Sequence, residues 1–173
     1  ISQSNMEWPM SNEMHFAEET ANSYHPLLRF YNPVYAGKGY YSTTFTDSIV
    51  KLLHPETFYK GQWQNSHTST FRAMSAVAYY FGKQLNTALN IPIGLINLSI
   101  GGAPLETFID ISVLKKSQQF SAKQNKDWLQ NDALPVWVRE RGQQNVGTAS
   151  AVPADANGKN HPFKPGFAYA AGI

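Results

Sequence analysis

The run Phe71-Arg-Ala-Met-Ser-Ala-Val-Ala-Tyr-Tyr-Phe-Gly-Lys-Gln-Leu-Asn-Thr-Ala-Leu-Asn90, followed by Ile91-Pro-Ile-Gly-Leu-Ile-Asn-Leu-Ser-Ile100, decides the fold class. Phe71, Met74, Val77, Ala78, Phe81, Leu85, Ala88 and Leu89 recur at helical spacing, which predicts one amphipathic helix over 71–90 with a single buried stripe. Thr68-Ser-Thr70 offers capping hydroxyls before it, Asn90 can stop it, and Pro92 prevents its continuation. Ile93 to Ile100 is almost continuously apolar, as a parallel strand buried on both faces is. Helix, short turn and apolar strand together predict an α/β fold with a parallel sheet.

The strand runs into Gly101-Gly-Ala-Pro-Leu-Glu-Thr-Phe108. Two glycines between a strand end and a helix start let backbone N–H groups approach an anion closely, and Pro104 suits the first turn of a new helix. Upstream, Ser11 to Asn22 is rich in helix formers, and Leu27 to Pro33 alternates towards a proline stop, giving a helix and a further strand. Residues 35–67 carry Tyr35, Tyr40, Tyr41, Phe45, Phe58, Tyr59 and Trp63 among glycines and a proline. This aromatic-rich insertion is either a wall on which a sugar ring stacks or a loop packing its own small core. Helical tendency follows over 112–119, 121–131 and 136–144, and Gly147 to Gly166 is small, polar and proline-bearing, as an exposed loop is. There is no internal repeat.

The 173 residues suit one domain, and 42% apolar with 15% charged residues describe a folded chain. A net charge of +2, with Lys115-Lys116 as the one adjacent basic pair, provides no phosphate-tracking stripe and excludes nucleic acid as the expected partner. Without cysteine, disulfides and thiol chemistry are excluded. No apolar run of about 18 residues is present to span a membrane. No two of the five histidines have metal-ligand spacing, so neither a metal nor a cofactor is expected.

Ile1-Ser-Gln-Ser-Asn-Met-Glu-Trp-Pro-Met10 places a serine, Ser4, among small and polar residues ahead of bulky Met6 and Trp8. A sharp strand-to-helix corner that exposes a hydroxyl has this composition. Gln3 to Met10 closely resembles the nucleophile block of the sialate O-acetylesterase family, a branch of the SGNH hydrolases, with Ser2 where that family has glycine. Met74 to Leu85 and Ile93 to Glu106 are similar to the family's second block and the helix before it, with Ala103 and Phe108 in place of threonine and tryptophan. Asn160 to Ile173 resembles the approach to its third block.

The resemblance implies a three-layer α/β/α, flavodoxin-like SGNH hydrolase fold, incomplete in this chain, which would be the N-terminal portion of one esterase domain. It implies Ser4 as the nucleophile that removes acetyl groups from sialic acid or a similar sugar. Gly102 would donate its N–H to the oxyanion, as would Ser4, with Gly101 as a weaker member of that loop. It implies an extracellular or periplasmic location, although no signal is visible. The family's asparagine donor and its Asp-x-x-His are not found: His15, His25, His54, His67 and His161 have no aspartate three residues before them. The base is therefore expected from the remainder of the same polypeptide or from a companion chain, and this chain alone is expected to be inactive. Acetylxylan-type polysaccharide esterase and non-catalytic carbohydrate-binding module are the alternatives.

A rival nucleophile is Ser99, since Asn97-Leu-Ser99-Ile-Gly101 imitates the Gly-x-Ser-x-Gly elbow, but Asn97 would crowd the turn and a structural role is expected. Asn97-Leu-Ser99 is also a glycosylation sequon, expected to be hidden in a central strand.

Overall fold

The computed structural model describes residues 4–173. Among the described residues, helices α1 (Ser4–Glu7), α2 (Phe16–Ala21), α3 (Asp47–Val50), α4 (Pro55–Phe58), α5 (Thr68–Phe71), α6 (Ala76–Leu89), α7 (Ile111–Lys116), α8 (Val136–Val146) and α9 (Phe167–Ala171) are interspersed with seven strands. These are β1 (His25–Tyr31), β2 (Val34–Tyr35), β3 (Tyr59–Lys60), β4 (Trp63–Ser66), β5 (Ile93–Ile96), β6 (Ala154–Asp155) and β7 (Gly158–Lys159). The α/β class read from the sequence is the class observed. The chain divides into two units: residues through Pro33 with Gly61–Gly102, and Val34–Lys60 with Ala103–Ile173.

In the first unit the sheet order is β4-β1-β5. β1 and β5 run parallel, from Leu28 opposite Ile93 to Tyr31 opposite Ile96. β4 adds an antiparallel edge, with Tyr31 opposite Trp63. This edge strand, Trp-Gln-Asn-Ser, carries no apolar alternation because only Ser66 is buried, and so its sequence has no period-2 signal. Leu28, Phe30 and Leu95 pack under Tyr79 and against Met10, Phe71 and Met74. Gly82 lets α6 settle directly on β5: a Cβ there would lie 2.6 Å from Leu95 Cδ1.

The expected helix is not continuous over 71–90, because the carbonyls of Arg72 and Met74 accept from Ser11 N–H (3.0 Å) and Met10 N–H (2.9 Å) instead of serving the helix. This break resets the helical phase, so Ala76, Tyr79 and Gly82 face inward while Val77 and Phe81 are 52% and 62% exposed. β5 ends at Ile96 and is buried on one face only: Leu95 points inward, Gly94 and Ile96 outward. The Asn90 stop holds, in the left-handed conformation with φ 52°.

A polar network ties α2, β1 and α6. Lys83 Nζ donates to both carboxylate oxygens of Glu19 at 2.8 and 2.6 Å, and the Tyr79 hydroxyl donates to Glu19 Oε2 at 3.2 Å. His25 Nε2 meets the same hydroxyl at 3.1 Å. Burial first, then the Glu19 carboxylate, pushes the Tyr79 phenol well above its ordinary range. Burial and then Lys83 hold His25 below its own.

In the second unit β2 pairs with β3, and Phe58 packs on Tyr35, Tyr59 and Phe167 with ring centroids 5.8, 4.7 and 5.0 Å apart. Of the aromatic insertion, Tyr35, Phe45 and Phe58 are therefore core, while Tyr40, Tyr41 and Trp63 stay exposed. Between α7 and α8, the expected helix over 121–131 is reduced to the 3-10 turns Ser121–Gln124 and Trp128–Gln130.

The expected exposed loop over 147–166 is overturned more sharply, because every residue from His161 to Gly166 is buried. The polar side chains of the run, His161 and Lys164, have internal partners. Lys164 Nζ donates to Gly158 O (2.8 Å) and Asn160 Oδ1 (3.0 Å) and pairs with Asp155 Oδ1 (2.7 Å). Burial lowers the Lys164 pKa against the opposing pull of Asp155.

Helix α8 approaches Trp128 through Gly142, where a Cβ would lie 2.7 Å from Leu129 Cδ2 and 2.8 Å from Trp128 Cζ3, with Trp128 Cη2 nearer still. Trp128 cannot yield easily, since it is 1% exposed and its Nε1–H donates to Lys159 O at 2.8 Å. Gly142→Ala is therefore expected to destabilise by about 1–3 kcal/mol despite alanine's better helix propensity. A lowered urea midpoint at unchanged slope is the check, and a midpoint at or above wild type contradicts the tight approach.

Candidate active site

Ser4 opens α1 and is exposed. Downstream of it the chain is stitched to the entry of α6: Ala76 N–H donates to Trp8 O at 2.9 Å, Pro9 bridges Ser75, and Met10 is fully buried. The resembling block is thus anchored at its carboxyl end. Ser2 and Gln3, with the question of how tight the turn before Ser4 is, lie outside the described residues.

Past β5, a hydrogen-bonded chain shapes the approach to the glycines. Ser99 Oγ donates to Asn97 Oδ1 at 2.6 Å, Asn97 Nδ2 to Asn32 Oδ1 at 2.9 Å, and Asn32 Nδ2 to Ala73 O at 2.7 Å. Ser99 is 4% exposed with its hydroxyl committed to Asn97, which is a structural use of the rival serine. Asn97 holds partners through both ends of its amide, although β5 itself ends one residue earlier. Gly101 and Gly102 form the turn that follows, and Gly102 has φ 74°, a left-handed conformation in which an L side chain is strained.

The structure brings these two segments together within the first unit. A Cβ built on Gly101 would lie 3.9 Å from Ser4 Cβ and 3.6 Å from Glu7 Cδ, and would fall inside the contact radius of Glu7 Oε2. Sequence reading singled out Ser4, Gly101 and Gly102 but passed over Glu7. The available signal was its spacing: three residues after Ser4 in one helical turn, it shares a face with the serine.

The histidines serve other positions. In the first unit, His15 lies 3.5 Å from Glu18, His25 meets Tyr79, and His67 Nδ1 meets Ser69 Oγ at 3.0 Å. In the second, His54 O accepts the first N–H groups of α4, from Thr57 and Phe58. His161, expected at the surface, is buried: its Nε2 meets Asn145 Oδ1 at 3.1 Å and its Nδ1 accepts from Phe163 N–H at 2.9 Å. Burial, with Arg141 nearby, lowers its pKa to about 3. Among the described residues no group of His, Cys, Asp or Glu could hold a metal ion. Among the same residues no helix is long and apolar enough to cross a membrane.

No protein-family model matches the chain, and no curated protein does. Among solved structures, a carbohydrate acetylesterase from Xanthomonas citri is similar, with a TM-score of 0.50 and 24% sequence identity over 67% of this chain. The match takes in 24% of that protein, so the chain corresponds to about a quarter of its length. At this identity the likeness shows the fold alone, an α/β fold.

Proposed function

We propose that the chain carries part of the active site of an SGNH-type serine esterase that removes O-acetyl groups from sialic acid or a similar acetylated sugar. The observation that carries this reading is the seating of Ser4 against the Gly101–Gly102 turn. Ester hydrolysis by serine needs a nucleophile close to donors aimed at the developing oxyanion. Ser4 Oγ attacks the acetyl carbon, and the Gly102 N–H, with that of Ser4, holds the tetrahedral oxygen. Collapse expels the sugar hydroxyl and leaves an acetyl-serine that water then hydrolyses. The base, its orienting acid and a third donor come from further polypeptide, in keeping with the quarter of the Xanthomonas esterase that this chain matches. Extracellular or periplasmic placement goes with a sugar-coat substrate.

A second reading, an esterase or binding module for acetylated polysaccharide such as xylan, draws on Tyr31 and Trp63. Their rings lie 5.7 Å apart at the sheet edge, and Trp63 is 53% exposed, so a pyranose could stack there.

In the intact protein, a fluorophosphonate is expected to add a single phosphonyl group on the peptide bearing Ser4. Acetate release is expected to be faster from O-acetylated sialic acid than from acetylxylan. Labelling of another serine refutes the nucleophile assignment, and faster release from xylan selects the second reading.

A further inference from the structure

Among the described residues, Glu7 is an ionisable side chain on the helix of Ser4 that lies against the glycine turn at Gly101. Its Oε2 occupies the space that a side chain at position 101 would need, and its Oε1 is closed off from solvent. The main chain just beyond it is fixed, because Trp8 O takes the Ala76 N–H and Met10 is buried in the core. The glycine turn is fixed from its own side by the Ser99–Asn97–Asn32 chain of hydrogen bonds. Glu7 therefore reaches from one anchored segment to the other, over a gap that only a glycine leaves open.

We propose that Glu7 is a positioning residue, a strut whose carboxyl group sets the distance between Ser4 and the Gly101–Gly102 turn, and that glycine is required at 101 to admit it. The proposal rests on the esterase reading for its kinetic consequence, but the contact itself does not. The geometry accounts for two glycines with different duties: Gly102 for its left-handed φ, and Gly101, whose φ is ordinary, for the carboxyl group that lies on it. Loss of the strut misplaces the oxyanion donors relative to Ser4 without removing any group that binds the sugar. It is therefore expected to lower kcat and leave KM alone, since small misplacements cost large factors in rate.

The test is a double-mutant cycle on the intact protein with Gly101→Ala, Glu7→Ala and both together, and with Glu7→Gln as the shape-preserving variant. Urea midpoints and the kcat and KM for an aryl acetate are read for each. Gly101→Ala alone is expected to lower kcat by roughly 30-fold or more, and Glu7→Ala by about tenfold with KM changed less than about twofold. Glu7→Gln should hold kcat within about threefold of wild type. In the double variant the methyl occupies the space the carboxyl vacated, so its midpoint and kcat should exceed the additive expectation, kcat by about tenfold.

Additive effects in both readouts overturn the contact, and wild-type kcat in Glu7→Ala overturns the positioning role. If Gly101→Ala fails to fold, the Glu7→Ala and Glu7→Gln pair still decides that role. Should Ser4→Ala retain full turnover, the esterase reading falls, while the midpoint cycle still decides whether Glu7 and Gly101 are in contact.

Discussion

On the proposed esterase reading, replacing Ser4 by alanine in the intact protein is expected to lower kcat for acetate release by roughly 10³-fold or more. The loss is large because covalent catalysis has no substitute once its nucleophile is gone, and what survives is the polarisation that the glycine turn provides unaided. The fold should not register the change. Ser4 is exposed, and deleting an exposed hydroxyl shifts stability by no more than about 0.5 kcal/mol. The opposite pattern is expected of Ser99→Ala. That hydroxyl is buried and donates to Asn97, so its removal is expected to lower the urea midpoint, while the nucleophile is retained and acetate release is reduced rather than lost. Undiminished acetate release by the Ser4 variant, measured at saturating O-acetylated sialic acid, sinks the nucleophile assignment.

The parts of the fold legible in the sequence are those where one local rule acts without competition. Asn90 before Pro92 ends a helix because one residue accepts a left-handed conformation and the other cannot continue, and the parallel β1–β5 pair follows from that short return. The helix phase was not legible. Its break depends on carbonyls of residues 72 and 74 that turn away to N–H groups sixty residues earlier, a pairing no window of sequence contains. The buried run His161–Gly166 was hidden for a related reason: proline, glycine and lysine mark a loop by composition, but here the His161 ring and the Lys164 ammonium find internal partners. The site divides the same way. Ser4 and the two glycines stand out by residue type and context. Glu7 stands out only once position 101 is seen to have no room for a side chain.

His161 makes the second unit's stability depend on pH, with a sign that follows from its setting. It is 1% exposed between Phe45 and Trp128, with centroids 5.6 and 5.4 Å away, and Phe163 packs edge-on at 5.3 Å. Because Nδ1 accepts from Phe163 N–H, the single proton of the neutral ring resides on Nε2 and is donated to Asn145 Oδ1. A second proton would need Nδ1 to give up that acceptor role inside an apolar cage, and burial accordingly lowers the pKa to about 3 from 6.5 in the unfolded chain. Above pH 6.5 both states are neutral at this residue and stability is independent of it. Below 6.5 the unfolded chain takes up a proton that the folded one refuses, so stability falls continuously until the folded pKa is reached. Two units below the unfolded value, at pH 4.5, the loss amounts to about 2.7 kcal/mol. Urea unfolding followed by tryptophan fluorescence checks this in wild type and His161→Gln. The variant is less stable at pH 7.5, and its deficit should shrink by about that amount at pH 4.5, since glutamine does not titrate. An equal deficit at both pH values means that His161 carries the same charge in both states, and the neutral buried assignment is then wrong.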